Sequence, residues 1–296
     1  MKAAREVLTR CEAGEISPAV ALMELLMLTQ DADAVCTFLN DLGDRSSTTQ
    51  ALNELFIQHE LGCRRIAAML KSGVDCPPQG ASIAEGVAFC RTLFDWSVRQ
   101  SEAASVALYS LGSPELLLAA TTEIVDLLRG YGLLRPEHAV LDLGCGTGRM
   151  AAALASEVQH VLGIDVSAEM VETARRRTAE LSNVSIELCS GLDLQPLAAS
   201  SFDLVLAVDS FPYVVQAGWE LAVVMFREAA RVLRPGGEFL ILHFSYRGDR
   251  AQDRQDVRTL AEQHGFELIV DGELPFRLWN GDVYRMRNAG RTALGA

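Results

Sequence analysis

Lysine is nearly absent from this sequence of 296 residues, since only Lys2 and Lys71 stand among its 26 basic residues. Acidic residues number 39, which gives a formal net charge of −13 at pH 7. Divided after residue 110, the chain carries 9 basic and 14 acidic residues before that point, and 17 and 25 after it. Proteins that bind nucleic acid usually present a basic face to the phosphate backbone. Because neither part is basic, the composition argues against nucleic acid as a partner.

Long apolar runs are also missing. The most apolar stretch, PAVALMELLML at residues 18–28, has 11 residues and contains Glu24. That length is too short to cross a bilayer. The opening residues, MKAAREVLTRCEAGE, lack the apolar segment of a secretory signal. We therefore expect a soluble cytoplasmic protein without a membrane partner.

Closely spaced cysteines are lacking as well. The chain has seven cysteines, an odd number, and no two of them form a C-x-x-C pair. Zinc sites and the disulfide frameworks of small secreted proteins depend on such regular spacings. The sequence predicts reduced thiols and no metal site.

The first part of the chain has the pattern of helices separated by polar breaks. Ser17 and Pro18 form a helix start, with a capping hydroxyl and a proline at the first helical position. After a probable linker at residues 73–80, apolar residues recur at helical spacing at positions 83, 87, 90, 94 and 98. We expect residues 1–110 to form a helical N-terminal region.

From about residue 113 the pattern changes to alternating helices and strands. Strands such as FDLVLAV are continuous apolar runs, which is typical of a parallel sheet covered by helices on both faces. Residues 111–296 are therefore predicted to form an α/β domain with a doubly wound, mostly parallel sheet of seven strands. The predicted strands lie at 139–143, 160–164, 184–188, 203–208, 238–243, 266–270 and 282–287.

Three glycines fall within five positions behind the first strand, in the stretch VLDLGCGTGRM at residues 140–150. Glycine at a strand-to-helix turn allows close backbone approach, and the helix N-terminus there favours an anion. A dinucleotide-binding turn requires G-x-G-x-x-G. Here the residue five after Gly144 is Arg149, so that fingerprint fails by one position.

The glycine stretch and three later motifs resemble those of the class I S-adenosylmethionine (SAM)-dependent methyltransferases. The later motifs are VLGIDVSAEMVETAR at 161–175, SFDLVLAV at 201–208 and EAARVLRPGGEFLI at 228–241. Four motifs in the family's order cover about residues 113–290. The resemblance implies a Rossmann-like methyltransferase core, SAM as cofactor and S-adenosylhomocysteine as product.

The resemblance also implies roles for single residues. The glycine loop would lie beside the amino acid part of SAM, where side chains at 144 and 146 would collide with it. Asp142 would bind the ammonium group, Asp165 the ribose hydroxyls, and Met170 would cover the adenine. Ser190 stands where the family often has an aspartate for the adenine amino group. The expected cofactor residues are Asp142, Gly144, Cys145, Gly146, Asp165, Val166, Met170, Ser190, Gly191, Leu192 and Val208.

Structural alternatives remain for three of these side chains. Asp142 has the alternative of bracing the loop, and Asp165 that of an acidic charge at a helix N-terminus beside Ser167. Met170 has the alternative of an ordinary core methionine. The residues alone do not separate these roles.

Polar residues follow the fourth and fifth strands. Asp209 begins the segment DSFPY, which differs in spacing from the [DN]-P-P-Y motif of family members that methylate DNA bases or protein amides. His243 ends the fifth strand. Since the two strands are neighbours in this family, we expect Asp209 and His243 to face each other as a catalytic pair, with His243 as general base. A histidine at a strand end also has the alternative of a purely structural polar residue.

The predicted function is methyl transfer from SAM to an O, N or C atom of a small-molecule acceptor. Residues 1–110 would cover the acceptor site, and segment 101–112 is either a lid or a connector. The expected acceptor-binding residues are Tyr109, Ser210, Tyr213 and Tyr246. Two other functions remain open: a non-catalytic SAM-binding or interaction protein, and an NAD-dependent oxidoreductase that uses the same kind of sheet.

Overall fold

The computed structural model describes residues 2–43, 46–73 and 81–290. Cys76 and all of the predicted linker except Gly73 lie outside these ranges. The chain divides into two compact units. The helical unit comprises Met1–Asp75, Trp96–Ile124 and Phe276–Asn280, and the sheet unit comprises Cys76–Asp95, Val125–Pro275 and Gly281–Ala296.

The sheet unit is built on seven strands in the order β3-β2-β1-β4-β5-β7-β6. Strands β1 to β5 pair in parallel, and β7 pairs antiparallel with both β5 and β6. This confirms the predicted doubly wound, mostly parallel α/β sheet. The strands are β1 (Ala139–Leu143), β2 (His160–Asp165), β3 (Val184–Leu188), β4 (Phe202–Val208), β5 (Leu233–Leu242), β6 (Phe266–Glu273) and β7 (Val283–Asn288).

Continuous apolar sequence places β4 and β5 at the centre of the core. Leu204–Ala207 and Phe239–Leu242 are fully buried, as expected of strands covered on both faces. Burial of each large apolar side chain contributes about 1.5–3 kcal/mol. Beyond the strand ends, the ring of Phe211 stacks on that of Phe244 at 5.4 Å between centroids. The core therefore extends to the carboxyl end of the sheet.

Helices cover the sheet. The sequence pattern does not indicate α11, because seven residues that begin Phe-Pro give little helical periodicity. The RPGG sequence at 234–237 lies within β5 beside a register irregularity. The helices of this unit are α9 (Arg149–Leu154), α10 (Ala168–Arg177), α11 (Phe211–Ala217), α12 (Trp219–Val232) and α13 (Arg250–Gln263).

The helical unit contains α1 (Lys2–Glu12), α2 (Pro18–Thr29), α3 (Ala32–Leu42), α4 (Ser47–Gln58), α5 (Glu60–Ser72) and α7 (Glu102–Val106). The predicted start of α2 is confirmed, since Ser17 Oγ accepts a hydrogen bond from Val20 N at 3.1 Å. Segment 101–112 contains α7 and a 3-10 turn, Leu108–Ser110. Its role as lid or connector stays a prediction, as does the acceptor-covering role of residues 1–110.

Two helices contribute residues to both units: α6 (Ile83–Gln100) and α8 (Pro114–Gly130). Residues 83–95, the larger part of α6, belong to the sheet unit. There Asp95 Oδ1 accepts hydrogen bonds from Ser167 Oγ at 2.6 Å and Glu169 N at 3.2 Å. A Cβ atom on Gly86 would also lie 2.8 Å from the Cα of Ala217. The units therefore do not divide at a single point near residue 110.

Within the described ranges, no helix combines the length and apolar character needed to traverse a bilayer. The six cysteines in those ranges are free thiols, at positions 11, 36, 63, 90, 145 and 189.

Candidate active site

The glycine loop connects β1 to α9 and turns sharply over the end of β2. The backbone N–H groups of Gly144 and Cys145 both donate to Ile164 O, at 2.9 and 3.0 Å. Gly144, Gly146 and Gly148 all have positive φ, at +73°, +53° and +73°. L-residues adopt this left-handed region only at an energetic cost. The three glycines therefore satisfy a backbone requirement of the loop itself.

Close packing is a second reason why two of these positions require glycine. A Cβ atom on Gly144 would lie 2.4 Å from the Cβ of Ser210, and one on Gly148 would lie 2.9 Å from the Cβ of Ala174. The sequence predicted that a side chain at Gly144 would collide with a cofactor. The structure shows that its first collision is with Ser210, whose Oγ also donates to Leu143 O at 2.6 Å.

Asp165, the last residue of β2, ties the glycine loop to α10. Its Oδ2 accepts from Gly146 N and its Oδ1 from Ser167 N, both at 2.9 Å. Burial raises the pKa of Asp165, and these backbone donors partly oppose that rise. The bond from Ser167 N is also what the structural alternative for Asp165 requires, an acidic charge beside the start of α10. A carboxylate has about four acceptor positions, so the two bonds leave capacity for a further donor.

Asp142 lies inside β1 with 1% of its surface exposed. Burial raises its pKa to about 7, against the opposing positive charge of Arg149. Its Oδ2 is buried and has no hydrogen-bond partner among the described residues. An unpaired buried oxygen of this kind costs free energy unless a donor reaches it.

The other predicted cofactor residues surround this loop. Met170 is buried in the first turn of α10, and Val208 is buried at the end of β4. Ser190 Oγ accepts from Leu192 N at 3.2 Å and so braces its own turn. Gly191 has φ of +77°, and a Cβ atom there would lie 2.5 Å from Val166 Cγ1. Cys145 is a buried free thiol. Their cofactor contacts stay predictions.

Asp209 and His243 meet at the carboxyl ends of β4 and β5. His243 Nδ1 lies 3.3 Å from Asp209 Oδ1, and Tyr246 donates its hydroxyl hydrogen to the same oxygen at 2.7 Å. The imidazole and the Tyr246 ring are perpendicular, with centroids 4.8 Å apart. The predicted pair is therefore assembled in the structure, together with a tyrosine that the sequence assigned to the acceptor.

Both members of this pair have left-handed backbone conformations, with φ of +54° at Asp209 and +74° at His243. For residues other than glycine, such conformations cost about 1–3 kcal/mol each and cluster at functional sites. Backbone hydrogen bonds hold both residues, since Asp209 N donates to Leu242 O at 2.9 Å and His243 N to Asp282 O at 2.7 Å. Two strained residues in contact, each directly after a parallel strand, make this position a candidate functional site.

The carboxylates around His243 control its protonation. Burial lowers the pKa of the imidazole, but the hydrogen bond and charge of Asp209, with the charges of Asp282 and Asp253, raise it above its ordinary value. Protonated His243 would carry its charge beside Asp209. The pair therefore has the arrangement of a base whose charged form is stabilised.

Aromatic rings line the same edge of the sheet. Tyr213 packs edge-on against Tyr246 at 5.5 Å between centroids and against Phe94 of α6 at 4.8 Å. Ser210, another predicted acceptor residue, donates its hydroxyl hydrogen to Leu143 O at the end of β1. Their contacts with an acceptor stay predictions.

Residues 140–237 match the family model of a methyltransferase domain. This match contains the glycine loop, Asp165 and Asp209 in the arrangement described above. Residues 140–237 therefore form a methyltransferase domain. Members of this family use SAM as methyl donor.

Named relatives share this methyltransferase domain. Over 138 residues the chain is 36% identical to demethylmenaquinone methyltransferase of Clavibacter sepedonicus, covering 47% of this chain and 51% of that protein. Over 130 residues it is 37% identical to 27-O-demethylrifamycin SV methyltransferase of Amycolatopsis mediterranei (strain S699), covering 42% and 45%. The chain thus spans about half the length of these curated relatives.

The fold is also similar to a solved methyltransferase structure. The crystal structure of magnesium protoporphyrin IX methyltransferase from Synechocystis PCC 6803 with bound SAM matches with a TM-score of 0.52. Sequence identity is 17%, and the match covers 72% of this chain and all of that chain. At this identity the likeness concerns the fold alone.

Tyr109 belongs to the helical unit rather than to the unit of the methyltransferase domain. Its ring is buried and stacks on Trp279, with centroids 5.8 Å apart and planes at 24°. Its predicted role in acceptor binding stays a prediction.

Sequence reasoning missed the contribution of α6 to this edge of the methyltransferase domain. Arg91 Nε donates to Val166 O at 3.2 Å, Phe94 packs on Tyr213, and Asp95 supports Ser167 at the start of α10. The available signal was the apolar repeat that includes Phe94, but that repeat only marks an amphipathic helix. Nothing in it indicates which element the helix covers.

Proposed function

We propose that this chain transfers a methyl group from SAM to an O, N or C atom of a small-molecule acceptor. The observation that carries the proposal is the strained Asp209–His243 pair, 3.3 Å apart, directly after β5 and after β4, the neighbour of β1 in the sheet. The named relatives support a small-molecule acceptor, since their names refer to demethylmenaquinone and 27-O-demethylrifamycin SV.

The residues of the glycine loop fit the charged and polar groups of SAM. Asp142 Oδ2 is a buried carboxylate oxygen without a donor, which suits the cofactor's ammonium group directly or through water. Asp165 keeps acceptor capacity beyond its two backbone bonds, which suits the ribose hydroxyls. When bound, SAM supplies a methyl group on a positively charged sulfur that leaves readily.

The residues at the ends of β4 and β5 would act on the acceptor. His243 takes up the proton that the acceptor loses, and Asp209 stabilises the resulting imidazolium. Tyr246 fixes Asp209 by its 2.7 Å hydrogen bond. The rings of Tyr213 and Tyr246 provide apolar walls that hold the acceptor in place, and such positioning supplies much of the acceleration of a group transfer.

Calorimetry with SAM, S-adenosylhomocysteine and NAD⁺ distinguishes the proposal from an oxidoreductase. We expect saturable binding of SAM and S-adenosylhomocysteine and none of NAD⁺, because the glycine spacing lacks the dinucleotide fingerprint. An Asp142→Asn variant should bind SAM more weakly, since the amide no longer offers a negative charge to the ammonium group. Binding of NAD⁺ in place of SAM would contradict the proposal.

A further inference from the structure

We infer that Asp282 is a positioning residue for His243: it fixes the place of the imidazole and adds negative charge beside it. The inference concerns the base of the proposed function and rests on that function for its catalytic consequence. Asp282 lies outside every motif that carries the family resemblance.

Asp282 closes the backbone turn at the end of β5. Its carbonyl oxygen accepts from His243 N at 2.7 Å, directly at the residue whose φ is +74°. Its carboxylate Oδ1 accepts from the next backbone N–H, that of Phe244, at 3.2 Å. One residue thus holds two consecutive N–H groups at the strained position, and the turn cannot relax without breaking these bonds.

The neighbouring strand fixes Asp282 in turn. Val283, the first residue of β7, pairs with Leu242, the last residue of β5. The hydroxyl of Tyr284 donates to Asp282 Oδ2 at 3.1 Å, and Tyr284 itself is fully buried. Asp282 is 4% exposed. Its position is therefore set by the antiparallel register of β5 and β7.

Asp282 also contributes charge to the surroundings of His243. The titratable groups that face the imidazole are Asp209 after β4, Tyr246 after β5, Asp253 on α13 and Asp282 before β7. Asp253 is paired with Arg247 at 2.5 Å. The bonds described for Asp282 come from neutral donors, a backbone N–H and a tyrosine hydroxyl. Its charge is among those that raise the pKa of His243.

The test compares Asp282→Asn and Asp282→Ala in the full chain. The asparagine amide oxygen can still accept from Phe244 N, so this variant removes mainly the charge, whereas alanine removes the bond as well. Asp203→Asn is the control for removing a carboxylate far from His243: Asp203 accepts a backbone N–H from Ala139 at 2.8 Å and pairs with Arg234 at the opposite end of the sheet. NMR titration of the His243 ring and the pH profile of kcat are the two readouts.

We expect the His243 ring of Asp282→Asn to titrate at lower pH than in the wild type, with the acid limb of kcat moving the same way. Asp282→Ala should lose about 10²-fold in kcat, the scale of a misplaced catalytic group, and asparagine should restore most of it. SAM affinity should not change. Asp203→Asn should leave both the titration and the pH profile where they are.

An unmoved His243 titration in Asp282→Asn, or an equal shift in Asp203→Asn, would overturn the inference. A wild-type chain that transfers no methyl group would overturn the proposed function instead. The NMR titration needs no turnover, so it still decides whether the charge of Asp282 affects the protonation of the His243 ring.

Discussion

His243→Asn is expected to lower kcat by about 10²–10⁴-fold, the usual loss when a general base is removed, with little change in SAM affinity. The ring lies 3.3 Å from Asp209 Oδ1 at the carboxyl end of the sheet, where ligands bind in this architecture. Asparagine keeps a polar side chain of similar size but cannot take up the acceptor's proton. Steady-state kinetics and calorimetry separate the two effects.

The pH profile adds a second check on His243. Its pKa is raised above the ordinary value of about 6.5, and a base acts only when neutral. The wild-type rate should therefore rise with pH through a pKa above 6.5, and this limb should vanish in the variant. His160→Asn, at the amino end of β2, is the control. Two results would contradict the role of His243 as a base: a loss in kcat below about tenfold, against the 10²–10⁴-fold expected, or a rate that shows no ionisation between about pH 5 and 8. Either result would indicate that His243 only lines the pocket.

The second large effect is expected at Asp165, whose replacement by alanine should weaken SAM binding by about ten- to a few-hundredfold. Hydrogen bonds to a charged group contribute about 1.5–3 kcal/mol each, and about 1.4 kcal/mol corresponds to a factor of ten in affinity. The variant also loses the acceptors for Gly146 N and Ser167 N, so the glycine loop loses a support at the same time.

A matched variant separates these two contributions. Ser167→Ala removes the side-chain cap of α10, where Ser167 Oγ accepts from Met170 N at 3.1 Å, but leaves the Asp165 carboxylate in place. It should lower the melting temperature with a much smaller effect on SAM affinity. Equal SAM affinity of the wild type and Asp165→Ala would show that Asp165 only braces the loop.

The sequence was sufficient to predict the strands of the sheet because the pattern that identifies a strand is local. Continuous apolar runs such as Leu204–Ala207 identify strands buried on both faces. The Asp209–His243 contact could also be predicted, since polar residues that follow adjacent parallel strands lie at the same edge of the sheet. That reasoning uses strand order and needs no side-chain detail.

The rest of the site depends on non-local packing that no local pattern encodes. Asp282 reaches His243 only through the antiparallel register of β5 and β7, and a register shift of one residue would turn its side chain to the other face. Phe94 reaches Tyr213 because residues 83–95 of α6 pack in the sheet unit. The strain at Asp209 and His243 is likewise a property of the folded backbone, since neither residue type requires a positive φ.

Transfer of an isotopically labelled methyl group is the measurement that tests the central claim most directly. The wild-type chain would be incubated with labelled SAM and a panel of hydroxylated, amino and activated-carbon metabolites, with His243→Asn and His160→Asn in parallel. The proposed function predicts a labelled acceptor and one equivalent of S-adenosylhomocysteine from the wild type and His160→Asn, and little of either from His243→Asn. A chain that binds SAM but labels no acceptor and forms no S-adenosylhomocysteine would contradict it and indicate a non-catalytic SAM-binding protein.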